Sequence, residues 1–334
     1  MEIFKMQPYF RHGAATPWGG YNLKDWFNKD TPDDGTGESL EVSALPGMES
    51  VILNGSYAGM TLASALEKDY EALTGTDAKP FPLLLKLLDA KDTLSVQVHP
   101  GDEYAKANDG KLGKTEAWLI LSAQPGSRIA YGIRTLDKPL SEVVEEGAFE
   151  DALNWVYPRP GEVYYIPHGC VHALGGGVMV YEIQQSSDAT YRFWDWGRVG
   201  KDGKPRELHI KKALDVTRTD ILLDKVPGAT VLCEGGSRTH YVCDDNFSLM
   251  RLNVCGKMPL DFKYMAFVTP TEPCKMGWNG GEIELDAFET AFVPACCEGA
   301  YIEGRLTALC STLPEREKLK NELGYRAENV AGLI

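Results

Sequence analysis

The segment "TLSVQVHP", residues 93–100, alternates apolar and polar side chains as a β-strand does. Its apolar residues share one face, and its polar residues, including Ser95, Gln97 and His99, share the other. An amide and an imidazole are unusual on a solvated strand face, which normally carries lysine, glutamate or threonine. The polar row therefore either faces water or lines the interior of a β-barrel that holds a reaction site.

Two further segments carry side chains that could complete a metal site. Glu116 in "GKTEAWLIL" begins one predicted strand, and His172 in "GCVHAL" stands where another begins. Imidazole, carboxylate and amide oxygen together suit a borderline divalent cation such as Zn²⁺, with room left for water or substrate. A single histidine is more often structural than a ligand, and we interpret the others as structural: His12, His168, His209 and His240.

The elements that must position these residues are mostly strands. Short β-rich runs are separated by Gly, Pro, Asp and Asn turns, which is typical of a sandwich or barrel. These runs are "SVILNG", "LSVQVHP", "AWLILSA", "EVYYIP", "VMVYEIQQ" and "TAFVPA". Helical patterns are fewer: "TLASALEKDYEAL", "PLSEVVEEGAFEDALNWV" and "PEREKLKNELGY". The pattern predicts a mainly β protein with helical insertions.

Composition excludes several classes of partner. The chain has 334 residues, a net charge of −14 and 43% hydrophobic residues, as in an ordinary globular protein of one or two domains. The acidic balance argues against nucleic acid or an anionic membrane as the main partner. No signal peptide or membrane span is evident, and the eight cysteines include no C-x-x-C pair. We therefore expect a cytoplasmic protein with reduced thiols.

An internal sequence similarity suggests two related β-domains. "EVYYIPHGCVHAL", starting at Glu162, can be aligned with "ETAFVPACCEGAY", starting at Glu289. Glutamate, an aromatic residue, proline, cysteine and alanine coincide, and the separation is about one domain length. In the second copy Ala295 and Gly299 replace His168 and His172. Any metal chemistry is therefore expected in the first copy alone.

The motifs "LSVQVHP", "GKTEAW", "GCVHAL" and "EIQQSSDATYRFWDWGR", in this order and spacing, closely resemble the short bacterial type I mannose-6-phosphate isomerases. These enzymes are metal-dependent cupins, and the resemblance begins at "PWGGYNL" and thins after about residue 215. It implies two cupin-type jelly-roll β-barrels with helical insertions, and a polar row that faces a barrel interior. The family's zinc ligands match Gln97, His99, Glu116 and His172, which implies one Zn²⁺ per chain, or another divalent metal.

The resemblance also implies the reaction, an exchange of mannose 6-phosphate and fructose 6-phosphate through a cis-enediol. Arg192 and Lys114 match family residues beside the reacting atoms. Lys114 would need a lowered pKa to act as the base, and the identity of the base is open. Ser95, Lys86 and Asp188 are expected to bind the phosphorylated sugar. From the residues alone, Arg192 could instead be an ion-pair partner of Asp188, and Lys114 a solvated turn residue.

The predicted organisation is a catalytic cupin over residues 1–225 with a helical insertion near residues 139–156. A metal-free cupin over residues 226–313 follows, and then a tail over residues 314–334 that could pack as a helix or stay loose. The sequence does not indicate the oligomeric state. Two other functions are open: a cupin dioxygenase, which normally has a third histidine and an apolar cavity, and a non-catalytic sugar-binding cupin, which would not need the complete ligand set.

Overall fold

A computed structural model describes residues 1–199, 203–221 and 223–334. This part of the chain is mainly β, with several antiparallel sheets. Its strands are β1 (Phe4–Gln7), β2 (Tyr9–His12), β3 (Thr36–Val42), β4 (Val51–Ile52), β5 (Leu83–Ala90), β6 (Val96–Val98), β7 (Glu116–Ala123), β8 (Ile129–Ile133), β9 (Leu153–Val156), β10 (Val163–Ile166), β11 (His172–Ala173), β12 (Val178–Gln185), β13 (Tyr191–Trp194), β14 (Ala229–Cys233), β15 (Gly236–Cys243), β16 (Ser248–Pro259), β17 (Ala266–Pro270), β18 (Cys274–Trp278), β19 (Gly281–Leu285), β20 (Ala291–Val293) and β21 (Tyr301–Thr312). Its helices are α1 (Asn22–Asp25), α2 (Leu62–Thr74), α3 (Asp102–Asp109), α4 (Leu140–Glu145), α5 (Phe149–Ala152), α6 (Ile210–Val216) and α7 (Arg316–Leu323), with 3₁₀ turns at Gly13–Ala15, Gly55–Tyr57 and Gly324–Asn329.

The strands form three sheets. The largest has ten strands, in the order β14-β15-β16-β21-β17-β20-β1-β4, with β18 paired to both β19 and β21. A second sheet has the order β10-β7-β12-β5-β3-β2, and a third has the order β13-β6-β11-β8-β9. The predicted ligand segments begin or flank strands of the second and third sheets.

Most elements agree with the sequence pattern. Each of the six runs predicted as strands contains one, which confirms the mainly β prediction. The segment predicted as a helical insertion, residues 139–156, contains α4 and α5 but ends as strand β9. There Val156 pairs with Ile129 and Trp155 with Ala130 of β8. Residues 153–156 include side chains that favour strands, and they lie beside the edge of β8. Pairing with that edge outweighs the helical pattern at these residues.

Contacts between Cα atoms divide the chain into two compact units. Unit 1 comprises Met1–Phe10, Ser39–Lys86 and Val226–Ile334, and it contains the ten-stranded sheet. Unit 2 comprises Arg11–Glu38 and Leu87–Lys225, and it contains the five-stranded sheet. One border falls between residues 225 and 226, as in the predicted organisation, whereas residues 1–10 and 39–86 cluster with the C-terminal part. The assignment of two cupin domains to these segments stays a prediction.

The C-terminal tail, for which the sequence left helix and loose chain open, is helical and packed. Apolar side chains of α7 and the residues after it form a buried cluster with Ala229 and Cys243. Within the described residues no helix is both long enough and apolar enough to cross a membrane.

The packing of the tail predicts a difference between two of its side chains. Leu323→Ala should lower the free energy of unfolding by ~2–4 kcal/mol because it leaves a cavity in this cluster. Tyr325→Ala should change it little, because Tyr325 is 86% exposed whereas Leu323 is 3% exposed. Urea unfolding monitored by circular dichroism measures both variants. Equal midpoints for Leu323→Ala and the parent would contradict a packed tail.

Candidate metal and active site

Strand β6 brings three candidate residues to one face of the five-stranded sheet. His172 of β11 lies directly opposite Gln97 on one side, and Arg192 of β13 lies opposite Gln97 on the other. Directly opposed residues of antiparallel strands project their side chains to the same face. The other face of β6 is closed, since Val96 and Val98 are fully buried. The polar row is not solvated either: Ser95 and His99 are buried and Gln97 is half-buried.

Glu116, the first residue of β7, completes the cluster from the neighbouring sheet. Its side chain is fully buried. Its Oε1 lies 3.3 Å from Nε2 of His172, and its Oε2 lies 3.6 Å from Nε2 of His99. The amide nitrogen of Gln97 is 3.3 Å from Nε2 of His172, and a half-turn of that amide would present its oxygen instead. Four side chains from three separate segments thus meet at one point.

Backbone carbonyls fix the orientation of both imidazoles. Nδ1 of His99 donates to the carbonyl oxygen of Ala189 at 2.8 Å, and Nδ1 of His172 donates to that of Cys170 at 2.9 Å. A neutral imidazole that donates through Nδ1 carries its lone pair on Nε2. Burial and, to a lesser extent, nearby Lys114 lower the pKa of His172 to about 4, so this imidazole is neutral at pH 7. Such a second hydrogen bond is the usual arrangement behind a metal-ligating histidine.

The cluster fits a divalent cation. Oε1 of Glu116 is buried and has no hydrogen-bond partner among the described residues. It lies 3.3 Å from Nε2 of His172, which carries no proton when Nδ1 donates, so these two acceptor atoms share no hydrogen. His99, Glu116 and His172 form the one group of three or more histidine, cysteine or acidic side chains in the described chain whose ligand atoms lie this close, all within 4.8 Å. A bound metal ion would satisfy these atoms together.

Lys114 reaches into this cluster and is not a solvated turn residue. Only 5% of its surface is exposed. Its Nζ donates to Oε2 of Glu116 at 2.5 Å and to Nε2 of His99 at 3.1 Å. The ammonium group therefore lies beside two of the four candidate ligands, where it can interact with anything bound there.

Arg192 and Asp188 are not paired in the structure. Nη1 of Arg192 donates to the carbonyl oxygen of Glu207 at 2.8 Å, whereas the carboxylate of Asp188 pairs with Lys111 at 2.7 Å and is largely exposed. Burial lowers the pKa of Arg192, and the neighbouring Arg206 lowers it further. Its Nε is buried without a hydrogen-bond partner among the described residues. The alternative of an Arg192–Asp188 ion pair therefore finds no support in this geometry.

The two remaining predicted residues are both buried. Ser95 lies immediately before β6, in unit 2 with the ligand cluster. Lys86 lies on β5, in unit 1, and is 8% exposed. The substrate-binding roles of Ser95, Lys86 and Asp188 stay predictions.

Glu182 was not predicted from the sequence as a residue near the site. This residue of β12 is buried, and its Oε2 accepts a hydrogen bond from Nε1 of Trp118 at 2.8 Å. Its charge also acts on the pKa of His172, which it raises. The signal was available in "VMVYEIQQ", because a carboxylate that follows four hydrophobic residues in a buried strand requires a partner and suggests a site.

Together, the antiparallel β architecture and the buried His/Glu cluster form a candidate metal site of the kind that metal-dependent enzymes use. Residues 3–119 match the family "Phosphomannose isomerase type I, catalytic domain". The chain is 37% identical to the mannose-6-phosphate isomerase of Streptococcus mutans over 244 residues, which is 73% of this chain and 77% of that protein. It is 39% identical to a Bacillus subtilis protein named "Probable mannose-6-phosphate isomerase GmuF", over 90% of this chain and 95% of that one.

The structure is also similar to the crystal structure of the mannose 6-phosphate isomerase from Bacillus subtilis. The TM-score is 0.88 at 32% identity, and the match covers 94% of this chain and 100% of the other. The chain belongs to the type I phosphomannose isomerase family.

Two histidines of one short segment, His168 and His172, are expected to differ in their effect on metal binding. His172→Ala should remove stoichiometric metal, because it deletes a fully buried Nε2 donor. The matched control, His168→Ala, should retain the metal, because His168 lies on the exposed surface of the same segment. Elemental analysis after dialysis against a weak chelator measures both. Loss of metal from His168→Ala, or full retention by His172→Ala, would contradict the assignment.

Proposed function

We propose that this chain is a metal-dependent aldose-ketose isomerase that interconverts mannose 6-phosphate and fructose 6-phosphate through a cis-enediol. The single observation that carries the proposal is the buried His99, Glu116 and His172 cluster, in which Nε2 of each histidine lies within 3.6 Å of one carboxylate. Membership of the type I phosphomannose isomerase family supports the choice of substrate. The metal is proposed to be one Zn²⁺ per chain, held by these three residues and Gln97.

The finer architecture is part of the same proposal. The ligand-bearing unit would be a cupin-type jelly-roll barrel, and the sheet of unit 1 would form a second, metal-free one. The support is the mainly antiparallel β structure and the repeated strand-and-turn segment, which contains β10 and β20. The cytoplasmic location also stays a prediction.

The reaction moves a proton between C2 and C1 of an open-chain sugar while negative charge develops on the oxygens of both carbons. A bound zinc ion would supply Lewis-acid stabilisation of that charge. Lys114 is held at the ligand cluster by two hydrogen bonds, so its Nζ can donate to a sugar oxygen or exchange a proton with it. Burial of the cluster excludes water, which strengthens each of these interactions.

Arg192 is proposed to stabilise the enediolate. Its position opposite Gln97 directs its side chain to the face that carries the ligands. Its buried Nε lacks a partner among the described residues, and a buried donor left unsatisfied is costly. An oxygen of the sugar would satisfy it.

A coupled assay tests the function directly. Purified protein should produce fructose 6-phosphate from mannose 6-phosphate, lose this activity on chelation, and regain it when Zn²⁺ returns. Absence of product from metal-replete protein would refute the proposal. Consumption of dioxygen by an iron-loaded sample would favour a cupin dioxygenase, and sugar binding without turnover would favour a binding protein.

The proposed phosphate role of Lys86 predicts a selective loss of binding. Lys86→Ala should raise KM for mannose 6-phosphate about tenfold or more and leave the weak turnover of unphosphorylated mannose nearly unchanged. Exposed Lys68 on α2 offers a control, since Lys68→Ala should alter neither value. Equal losses on both sugars would remove the phosphate role.

The proposed role of Arg192 predicts a loss of rate rather than of binding. Arg192→Ala should lower kcat about 100-fold, with KM and metal content nearly constant, because the interaction strengthens as charge develops. Arg192→Lys should restore only part of the rate, since an ammonium cannot reproduce a planar fork. The control is exposed Arg159→Ala. A stable, metal-replete Arg192→Ala protein with the parental kcat would rule the role out.

A further inference from the structure

The segment that carries both Lys114 and Glu116 lies mostly outside the sheet. Strand β7 begins only at Glu116, so Gly113, Lys114 and Thr115 precede its regular ladder. Loop residues hold a catalytic geometry only where other groups fix them. The hydrogen bonds of residues 113–115 therefore determine where the Lys114 ammonium and the Glu116 carboxylate lie.

Gln185, the last residue of β12, holds the middle of this segment. Its side-chain Oε1 accepts from the backbone N–H of Thr115 at 2.9 Å, and its own N–H donates to the carbonyl oxygen of Thr115 at 3.1 Å. Gln185 is buried, with 7% of its surface exposed. Thr115 is thus fixed on both its N–H and its carbonyl, directly between Lys114 and Glu116.

The bond to Thr115 also determines which way the Gln185 amide points. Because Oε1 accepts from a backbone N–H, Nε2 must face the other way, and there it donates to Oδ1 of Asp102 at 3.0 Å. The same Oδ1 accepts from the backbone N–H of Gly113 at 2.7 Å. One carboxylate oxygen thus joins the Gln185 side chain to the start of the Lys114 segment.

Gly113 shows how closely these segments approach. A Cβ at this position would lie 2.5 Å from the backbone nitrogen of Asp102 and 2.6 Å from the carbonyl carbon of Gly101. The next residue, Lys114, donates its backbone N–H to the carbonyl oxygen of Pro100 at 3.0 Å. The chain that follows ligand His99 is therefore packed directly on the chain that precedes ligand Glu116.

We propose that Asp102 and Gln185 form a clamp that positions Lys114 and Glu116 against His99. Neither clamp residue is one of the four proposed metal ligands; both act through the backbone of residues 113–115. The inference rests on the proposed function for its effect on turnover, and on the metal site alone for its effect on metal affinity. Asp102 and Gln185 were not among the site residues predicted from the sequence.

Gln185→Leu is the first test, because leucine keeps most of the buried volume and removes the side-chain hydrogen bonds to Thr115 and Asp102. The affinity for Zn²⁺, measured by competition with a chromogenic chelator, should fall about tenfold, in the range expected when a group behind a ligand is lost. At saturating Zn²⁺, kcat should also fall about tenfold, with KM changing less than twofold, because Lys114 loses its alignment.

Asp102 offers a graded test with a matched control. Asp102→Asn keeps the Oδ1 acceptor and should retain near-parental Zn²⁺ affinity and kcat, whereas Asp102→Ala should reproduce most of the loss seen with Gln185→Leu. Asp102 also contributes a negative charge to the first turn of α3, as exposed Glu103 does. Glu103→Gln removes such a charge without touching the clamp, and it should leave both measurements unchanged.

These outcomes distinguish a positioning role of the clamp from a general contribution to the stability of the protein. If Gln185→Leu and Asp102→Ala lower the melting temperature while Zn²⁺ affinity and kcat stay parental below it, the clamp does not position the site. If Asp102→Asn loses as much as Asp102→Ala, the charge matters and the hydrogen-bond account is wrong. If the parent protein shows no isomerase activity, the proposed function fails, and the Zn²⁺ affinities alone still confirm or refute the clamp.

Discussion

The buried carboxylate of Glu116 is the constraint on which the site depends. An ionised carboxylate without access to water is strongly unfavourable unless cations and donors surround it. Lys114 supplies one positive charge at 2.5 Å, but that bond uses only Oε2, and Oε1 faces the lone pair of a neutral histidine. A metal ion held by Glu116 and the two imidazoles would give Oε1 the cationic partner that it lacks. Oε1 of Glu116 is therefore the atom whose surroundings favour a bound cation.

The surrounding strands make this arrangement rigid. Gln97, His172 and Arg192 are aligned by the register of three adjacent strands, so a one-residue slip of any strand would turn its functional side chain to the opposite face. The carbonyls of Ala189 and Cys170 then determine the direction of each imidazole lone pair. Register places the side chains, and backbone hydrogen bonds select the tautomer that can bind a metal.

The sequence was sufficient to predict features that depend on the local alternation of apolar and polar residues. The alternation in residues 93–100 placed Gln97 and His99 on one face, and the resemblance joined them to Glu116 and His172. Contacts between side chains that are far apart in the sequence could not be predicted from the spacing of the motifs. The Lys114 bond to His99 and the ion pair of Asp188 with Lys111 arise only when separate loops meet. Strand β9 was missed for the same reason, because its edge partner is distant in sequence.

The repeated segment shows which part of the pattern serves folding and which part serves chemistry. In the first copy the N–H of Cys170 donates to the carbonyl oxygen of Pro167 at 3.1 Å, and in the second the N–H of Cys297 donates to that of Pro294 at 3.0 Å. These four residues occupy matching positions and close matching turns after β10 and β20. Both bonds join backbone groups, so the two segments form the same turn although some of their side chains differ.

The histidine positions of the same segment differ between the copies. His172 in the first copy is replaced by Gly299 in the second, and the described part of unit 1 contains no group of ligand side chains comparable to the one in unit 2. The strand and turn form in both places, so they do not require the imidazole. The turn therefore does not depend on the candidate metal ligands, and the buried carboxylate of Glu116 is the feature of unit 2 that favours a bound metal ion.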